Sequence, residues 1–329
     1  MKHRSALVSV SAVLVLATLL ATLAGCGRRP PTLRGVSLGP DRGCGVSTKD
    51  EVWCFPALLT NARAEISART ADDVVVVAKA VVLRRGTVVS CIGECPSAAW
   101  TESATKIRGG DAESVWVLGP VGELATYNVR TGAREVGVPK DVIEFAAGPF
   151  GLVYRRKDSG VFFLRKEQVA PSELPTLKGA MSMAVGLGHA CAVLPSAEVR
   201  CFGRNAHGQL GDGTKEDHEE PVPVAGLDGA VEVSAGDDFT CARLGNATVS
   251  CWGNNDVSQI TSGGPGVVVL TPRPIIGVFG ATALSSFGQG SCAALGQEEG
   301  ARCWGKGHFG IPSADTSLRV PMPVRFPKR

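Results

Sequence analysis

Gly188-His189-Ala190-Cys191, followed by Cys201-Phe202-Gly203, decides the fold, because the same stretch is written three times. The second copy is Asp238-Phe239-Thr240-Cys241 with Cys251-Trp252-Gly253, and the third is Gly290-Ser291-Cys292 with Cys303-Trp304-Gly305. Successive first cysteines stand 50 and 51 residues apart, and the two cysteines of a copy stand 10, 10 and 11 apart. A fixed period in this range marks a repeat architecture, in which each unit covers its apolar face with its neighbours.

Each cysteine pair brackets a hairpin. Gly245-Asn246 supplies the turn between Cys241 and Cys251, and folding about that centre sets the two cysteines opposite one another. Directly opposed residues lie within disulfide reach. The pair Cys191/Cys201 and an earlier pair, Cys44/Cys54, repeat the arrangement, while Cys292/Cys303 carries one extra residue that a longer turn absorbs. Zinc is the competing use of paired cysteines, but it needs short paired spacings that these intervals do not provide. No metal and no cofactor is expected.

The hairpin also serves as a ruler for the middle of the chain. Val81 to Cys91 matches its second half with valine in place of the first cysteine. Ser114–Leu118 with Gly122–Tyr127, and Ala147–Tyr154 with Gly160–Phe163, read as copies without cysteine. Seven units result, and the expected fold is an all-β, seven-bladed β-propeller with disulfide-stapled hairpins. The repeats are clear over residues 182–325 and degenerate up to about 165 within a propeller domain of 35–329. Pro221-Val222-Pro223, Pro272-Arg273-Pro274 and Pro321-Met322-Pro323 each follow a unit. Proline suits an edge strand. The last of these segments is expected to complete the first blade near Arg34–Leu38 and so close the ring.

Cys201-Phe202-Gly203-Arg204-Asn205-Ala206-His207-Gly208-Gln209-Leu210-Gly211 resembles the signature of the regulator-of-chromosome-condensation repeat family, in a bacterial, cysteine-rich form. Cys251-Trp252-Gly253-Asn254-Asn255 through Gln259-Ile260 is a looser match, and Cys303-Trp304-Gly305 has lost the asparagine and glutamine. The resemblance implies a propeller whose Asn and Gln hydrogen-bond the backbone rather than react. Nucleotide exchange on a small GTPase, the activity of the nuclear namesake, is the least expected function, because this chain carries signs of export.

Those signs lie at the N-terminus. Lys2 and Arg4 precede an uncharged apolar stretch from Ser5 to Gly25, and Cys26 follows Leu23-Ala24-Gly25. The ending resembles the lipobox of bacterial lipoprotein signal peptides, which implies a leader over 1–25, lipid on Cys26 and a Pro/Arg tether over 26–34. Gly27 in place of aspartate points by the same resemblance to the outer membrane or cell surface. A membrane-spanning anchor is the alternative, since the stretch is long enough to cross a bilayer. Ten cysteines besides Cys26 fit an oxidising compartment. Eight fall in the hairpin pairs, and Cys91 and Cys95 are expected to form a small loop disulfide.

Loss of the leader removes two of 34 basic residues and leaves 32 against 31 acidic ones. A chain so near neutrality presents no overall field for nucleic acid, and no nucleic-acid partner is expected. No catalytic motif stands out, and the run Lys215 to Glu220 reads as solvated surface. A propeller collects equivalent loops on one face, so the candidate binding rim comprises Asp41, Arg42, Phe150, His189, Asp237, Asp238, Phe239 and Gln289. The expected function is a non-enzymatic, lipid-anchored propeller that binds a protein partner. Alternatives are an enzyme inhibitor acting through one propeller face, and a lyase or hydrolase sited in the channel.

Overall fold

The computed structural model describes residues 33–39, 42–56, 71–77, 80–85, 88–93, 103–110, 114–129, 131, 133–136, 140–166, 168–260, 266–296, 300–306 and 317–323. The expected leader, Cys26, Asp41 and Cys95 lie outside them. The chain runs as consecutive antiparallel meanders. The first sheet holds β1 (Leu33–Leu38), β2 (Arg42–Ser47) and β3 (Val52–Pro56), and the second holds β4 (Asp73–Val77), β5 (Ala80–Arg85) and β6 (Val88–Gly93). Four-stranded sheets follow. The third holds β7 (Lys106–Gly109), β8 (Ser114–Leu118), β9 (Leu124–Asn128) and β10 (Arg134–Val136). The fourth holds β11 (Val142–Gly148), β12 (Gly151–Arg156), β13 (Val161–Arg165) and β14 (Ser172–Glu173). The fifth holds β15 (Ser182–Val185), β16 (His189–Val193), β17 (Val199–Gly203) and β18 (His218–Pro223). The sixth holds β19 (Ala230–Ala235), β20 (Phe239–Leu244), β21 (Val249–Gly253) and β22 (Val269–Pro274). The last holds β23 (Ala281–Phe287), β24 (Gly290–Leu295), β25 (Ala301–Lys306) and β26 (Ser317–Pro323).

The first strand of every sheet packs against the first strand of the next, from β1 through β4, β7, β11, β15, β19 and β23 and back to β1. The molecule is therefore a β-propeller around a central channel. Second strands lie between neighbouring sheets, and β16 (His-Ala-Cys-Ala-Val) and β24 (Gly-Ser-Cys-Ala-Ala-Leu) are buried along their whole length. Such strands read as continuous runs of small and apolar residues rather than alternations.

Four disulfides bridge the second and third strands within a sheet: Cys44–Cys54, Cys191–Cys201, Cys241–Cys251 and Cys292–Cys303. Each joins residues directly opposed in the register. Cys91 is also disulfide-bonded. A bridge closing a loop of this size contributes about 2–3 kcal/mol in the chain-entropy account. Peptide mapping without reductant should recover Cys241 linked to Cys251, and Cys241→Ala with Cys251→Ala should cost about that amount in chemical denaturation. Free thiols at both positions in exported protein would contradict the pairing.

Three expectations need correction. Strand β26 pairs with β25 in its own sheet, and β1 pairs only with β2. The proline segments are thus the outer edge strands of their own sheets, and among the described residues no strand crosses the closure. The first and last sheets meet instead through a cluster of Leu33, Leu38, Cys292, Ala294, Ala301 and Cys303. Thr282 Oγ1 donates to Leu33 O at 3.0 Å, and Leu38 N donates to Ser285 Oγ at 3.1 Å. Second, Cys91 faces Val82 and not Val81, because a two-residue connection between Arg85 and Val88 shortens that hairpin. Third, β1 begins at Leu33, inside the segment assigned to the tether.

Serines join the inner strands. Ser37, Ser234 and Ser285 each sit opposite the first cysteine of their sheet. Their hydroxyls accept from Val76 N, Ser286 N and Leu38 N of the following inner strand. One amide on the free edge of each of these inner strands is thereby satisfied without another strand. Ion pairs occupy the corresponding place in the cysteine-poor sector. Arg108 reaches Asp73 at 3.5 Å and Glu144 at 4.0 Å, and Lys106 also pairs with Glu144.

Candidate functional site

All inner strands run in the same direction, so the loop leaving each of them emerges on one face, here called the upper face. Hydrogen bonds tie these loops to one another. Phe150 N donates to Gly186 O at 3.2 Å, Leu187 N to Asp237 O at 3.2 Å, and Asp237 N to Gly288 O at 2.8 Å. The result is a collar around the upper mouth of a channel of about 620 Å³. Leu187, Asp237 and Pro149 stand at that mouth, and Leu187 is 48% exposed. Burial pushes the Asp237 carboxyl above its usual range, and the neighbouring Asp238 carboxylate adds to the shift.

The proposed rim residues divide into two groups. Phe150, Asp237, Asp238 and Gln289 are partly exposed on the collar, and the backbone of Arg42 enters the equivalent position of the first sheet. Phe150 packs on Phe163 with ring centroids 4.9 Å apart, and the Arg165 guanidinium lies over the Phe150 ring, 5.1 Å from its centroid. His189 and Phe239, in contrast, are buried. Both follow an inner-strand loop, but their rings turn inward and lie against Gly186 and Gly236, where a Cβ would come within 2.4 and 2.0 Å of the ring. The short loop makes them look like rim residues in sequence, whereas the packing makes them core.

His189 heads a buried chain of hydrogen bonds between the fifth and sixth sheets. Its Nε2 lies 2.8 Å from Thr240 Oγ1, and the Thr240 hydroxyl donates to Gln209 O at 2.9 Å. The threonine proton is therefore committed, and Nε2 of His189 must carry the donated hydrogen. Trp252 Nε1 also donates to Gln209 O, at 2.9 Å. Burial holds the His189 pKa down at about 4, against a smaller opposing contact with the Phe239 backbone.

The repeat's polar residues shape the long loop between third and fourth strands. Asn205 Oδ1 accepts from Leu210 N, and its amide donates to Asp212 and Thr214. Asn255 accepts from Ile260 N in the same way. Gln209 and Gln259 accept from the backbone two residues earlier, at His207 N and Val257 N. Burial works to raise the Asp212 carboxyl, but Thr214, Asn205 and the nearby His218 hold it below its usual range. Asn205, Asn255, Gln209 and Gln259 are thus committed to the backbone of their own loops. Among the described residues no group of three His, Cys, Asp or Glu is placed to hold a metal.

The serine joints were missed in sequence, although a signal existed: serine stands seven residues before the first cysteine in three of the four stapled units. The channel ion pairs left no such trace.

A closed ring of meanders, stapled and latched in this way, defines a repeat propeller with a loop collar. Models of the "Regulator of chromosome condensation (RCC1) repeat" match residues 198–243 and, in a second form, 182–209 and 230–259. Residues 182–259 thus carry repeats of the regulator-of-chromosome-condensation type. No curated protein matches the sequence.

Similar solved structures include yeast RCC1 (Prp20) bound to Kap60, with a TM-score of 0.60 and 15% identity over 88% of this chain and 74% of that one. Prp20p from Saccharomyces cerevisiae, described with its binding to Gsp1p and histones, gives 0.61 and 15% over 88% and 76%. Human WBSCR16 gives 0.59 and 18% over 73% and 70%. At such identities the likeness is one of fold.

Proposed function

We propose that this protein is a non-enzymatic binding propeller, a ring of seven blades with each sheet counted as one, which takes a protein partner on its upper face and is held to the outer membrane or cell surface through lipid on Cys26. The observation that carries the reading is the collar, where a repeating, hydrogen-bonded frame presents side chains that differ from sheet to sheet. A rigid scaffold with variable loops is how propellers generally display a binding surface. Exposed Leu187 beside Asp237 and Asp238 gives that surface an apolar point within an acidic setting. Protein ligands of the structurally similar yeast propeller agree with this use of the fold, although fold alone does not assign function.

A channel-sited lyase or hydrolase is the weaker reading. Asp73, Glu144 and Glu232 already face Arg84 or Arg108, Lys106 and Arg243 at ion-pair distance. Carboxylates so committed serve the joints between sheets. Inhibition of an enzyme through the upper face is one form that partner binding could take.

Two measurements test the proposal. Cys26→Ser should release the protein from membranes into the soluble fraction, and unchanged retention would favour a spanning anchor. A photo-crosslinking residue at position 187 in intact cells should give a discrete adduct, lost when Asp237 and Asp238 become Asn. Equal adduct yield with those carboxylates removed would contradict the collar as the binding surface.

A further inference from the structure

The two faces of the ring differ in kind. Eleven large apolar side chains are exposed among the described residues, and seven of them stand on the lower face, where the inner strands begin and the hairpins turn. Val88 opens β6 beside its hairpin turn and Val121 sits in the turn between β8 and β9, and Ile143, Met181 and Val231 stand at or beside the entries of three successive inner strands. Ile276 and Phe279, 71% and 69% exposed, lie in the connection between the last two sheets. Single exposed apolar residues are ordinary, but a ring of them on one face is the pattern of a surface that meets something apolar.

The upper face is acidic around the fifth and sixth sheets. Five carboxylates lie between Asp212 and Glu220, with Asp237, Asp238 and Asp256 beside them, against Arg204 and Lys215. An anionic bilayer repels such a surface.

The point of attachment agrees with this division. Strand β1 starts at Leu33 on the lower face, bonded to Thr282 at the start of β23. Only residues 27–32 separate it from Cys26. At full extension that reach is about 25 Å. The strand itself rises about 20 Å from one face to the other, so the tether meets a membrane under the lower face with slack and would have to run almost fully extended to bring the upper face there.

We infer that the lower face rests on the phospholipid bilayer, with Ile276, Phe279 and Val121 entering its interface, and that the collar points away from the membrane. The inference rests on the lipid anchor at Cys26 proposed above. A lipid on Cys26 fixes the distance of the chain from the membrane but not its orientation, and an apolar face held at that surface supplies the orienting contact. Orientation then follows from the fold: the membrane takes one side of the ring and leaves the other to the partner.

The test uses the full chain extracted from its membranes and reconstituted in vesicles of phosphatidylethanolamine and phosphatidylglycerol. The mass of the N-terminal peptide decides the tether separately, and an unmodified Cys26 overturns both tether and orientation. With lipid present, amide exchange in residues 121–123 and 275–280 should slow about tenfold on vesicles relative to detergent. Residues 186–188 and 236–238 should exchange at the same rate in both. Slowing on the collar, or equal slowing on both faces, overturns the orientation alone. Ile276→Ser with Phe279→Ser, both at exposed positions that leave the core intact, should lose the protection while the chain stays anchored. Retained protection in that variant likewise overturns the inference.

Discussion

Trp252→Ala should cost about 4 kcal/mol, close to what a marginally stable domain can lose and still fold. The indole is fully buried at the boundary between the fifth and sixth sheets, so truncation opens a cavity in the largest core cluster. It also lies under Gly211, whose φ of +71° and proximity to the ring leave no room for a side chain. Repetition within the chain supplies the control. Phe202 and Trp304 occupy the equivalent place after Cys201 and Cys303, so phenylalanine fits the slot. Trp252→Phe should therefore cost only about 1 kcal/mol, the worth of the lost bond to Gln209 O. Trp304 Nε1 is buried with no acceptor among the described residues, and Trp304→Phe should be neutral or stabilising. Urea denaturation of the three variants checks the order. Equal costs for the two phenylalanine variants would show that the bond to Gln209 contributes nothing.

Acid should weaken the ring through His189. Its folded pKa of about 4 lies below the usual value near 6.5, so folding favours the neutral ring. The contribution is complete above pH 6.5 and is lost progressively as pH falls from there to about 4. The shift corresponds to about 3 kcal/mol at most. Phe239 fills the same slot in the next sheet, which makes His189→Phe the informative change. That variant should lose the hydrogen bond to Thr240 but unfold with a flatter dependence on pH between 6.5 and 4. An undiminished acid limb in His189→Phe would assign the pH dependence to other groups.

The sequence made the propeller legible for a specific physical reason. Opposed cysteines fix hairpin register residue by residue, and their spacing reports the size of a unit. Hairpins without cysteine were still found at β8–β9 and β12–β13, because glycine turns and apolar runs carry the same period. Val82 was displaced by one residue because a shorter turn moves the register without changing the residue types. Ring closure was misjudged at Pro321–Pro323, where a proline-bearing edge reads alike whichever sheet it joins. The rim was legible in position but not in depth. Asp237 and Asp238 stay on the collar, yet the next residue, Phe239, folds into the core over Gly236. Loop membership is written in sequence, whereas the direction of a ring depends on the neighbouring sheet.

The joint between the last and first sheets is built from the same parts as the joints inside the chain. Ser285 receives Leu38 N just as Ser37 receives Val76 N and Ser234 receives Ser286 N. Among the described residues no strand is shared, and none is threaded across. The place where the polypeptide starts is thus a break in the covalent thread and not in the architecture. A permuted chain, opened between the fifth and sixth sheets and spliced from residue 323 to residue 33, would carry across its new covalent link a serine joint of the kind that already follows the first and sixth sheets.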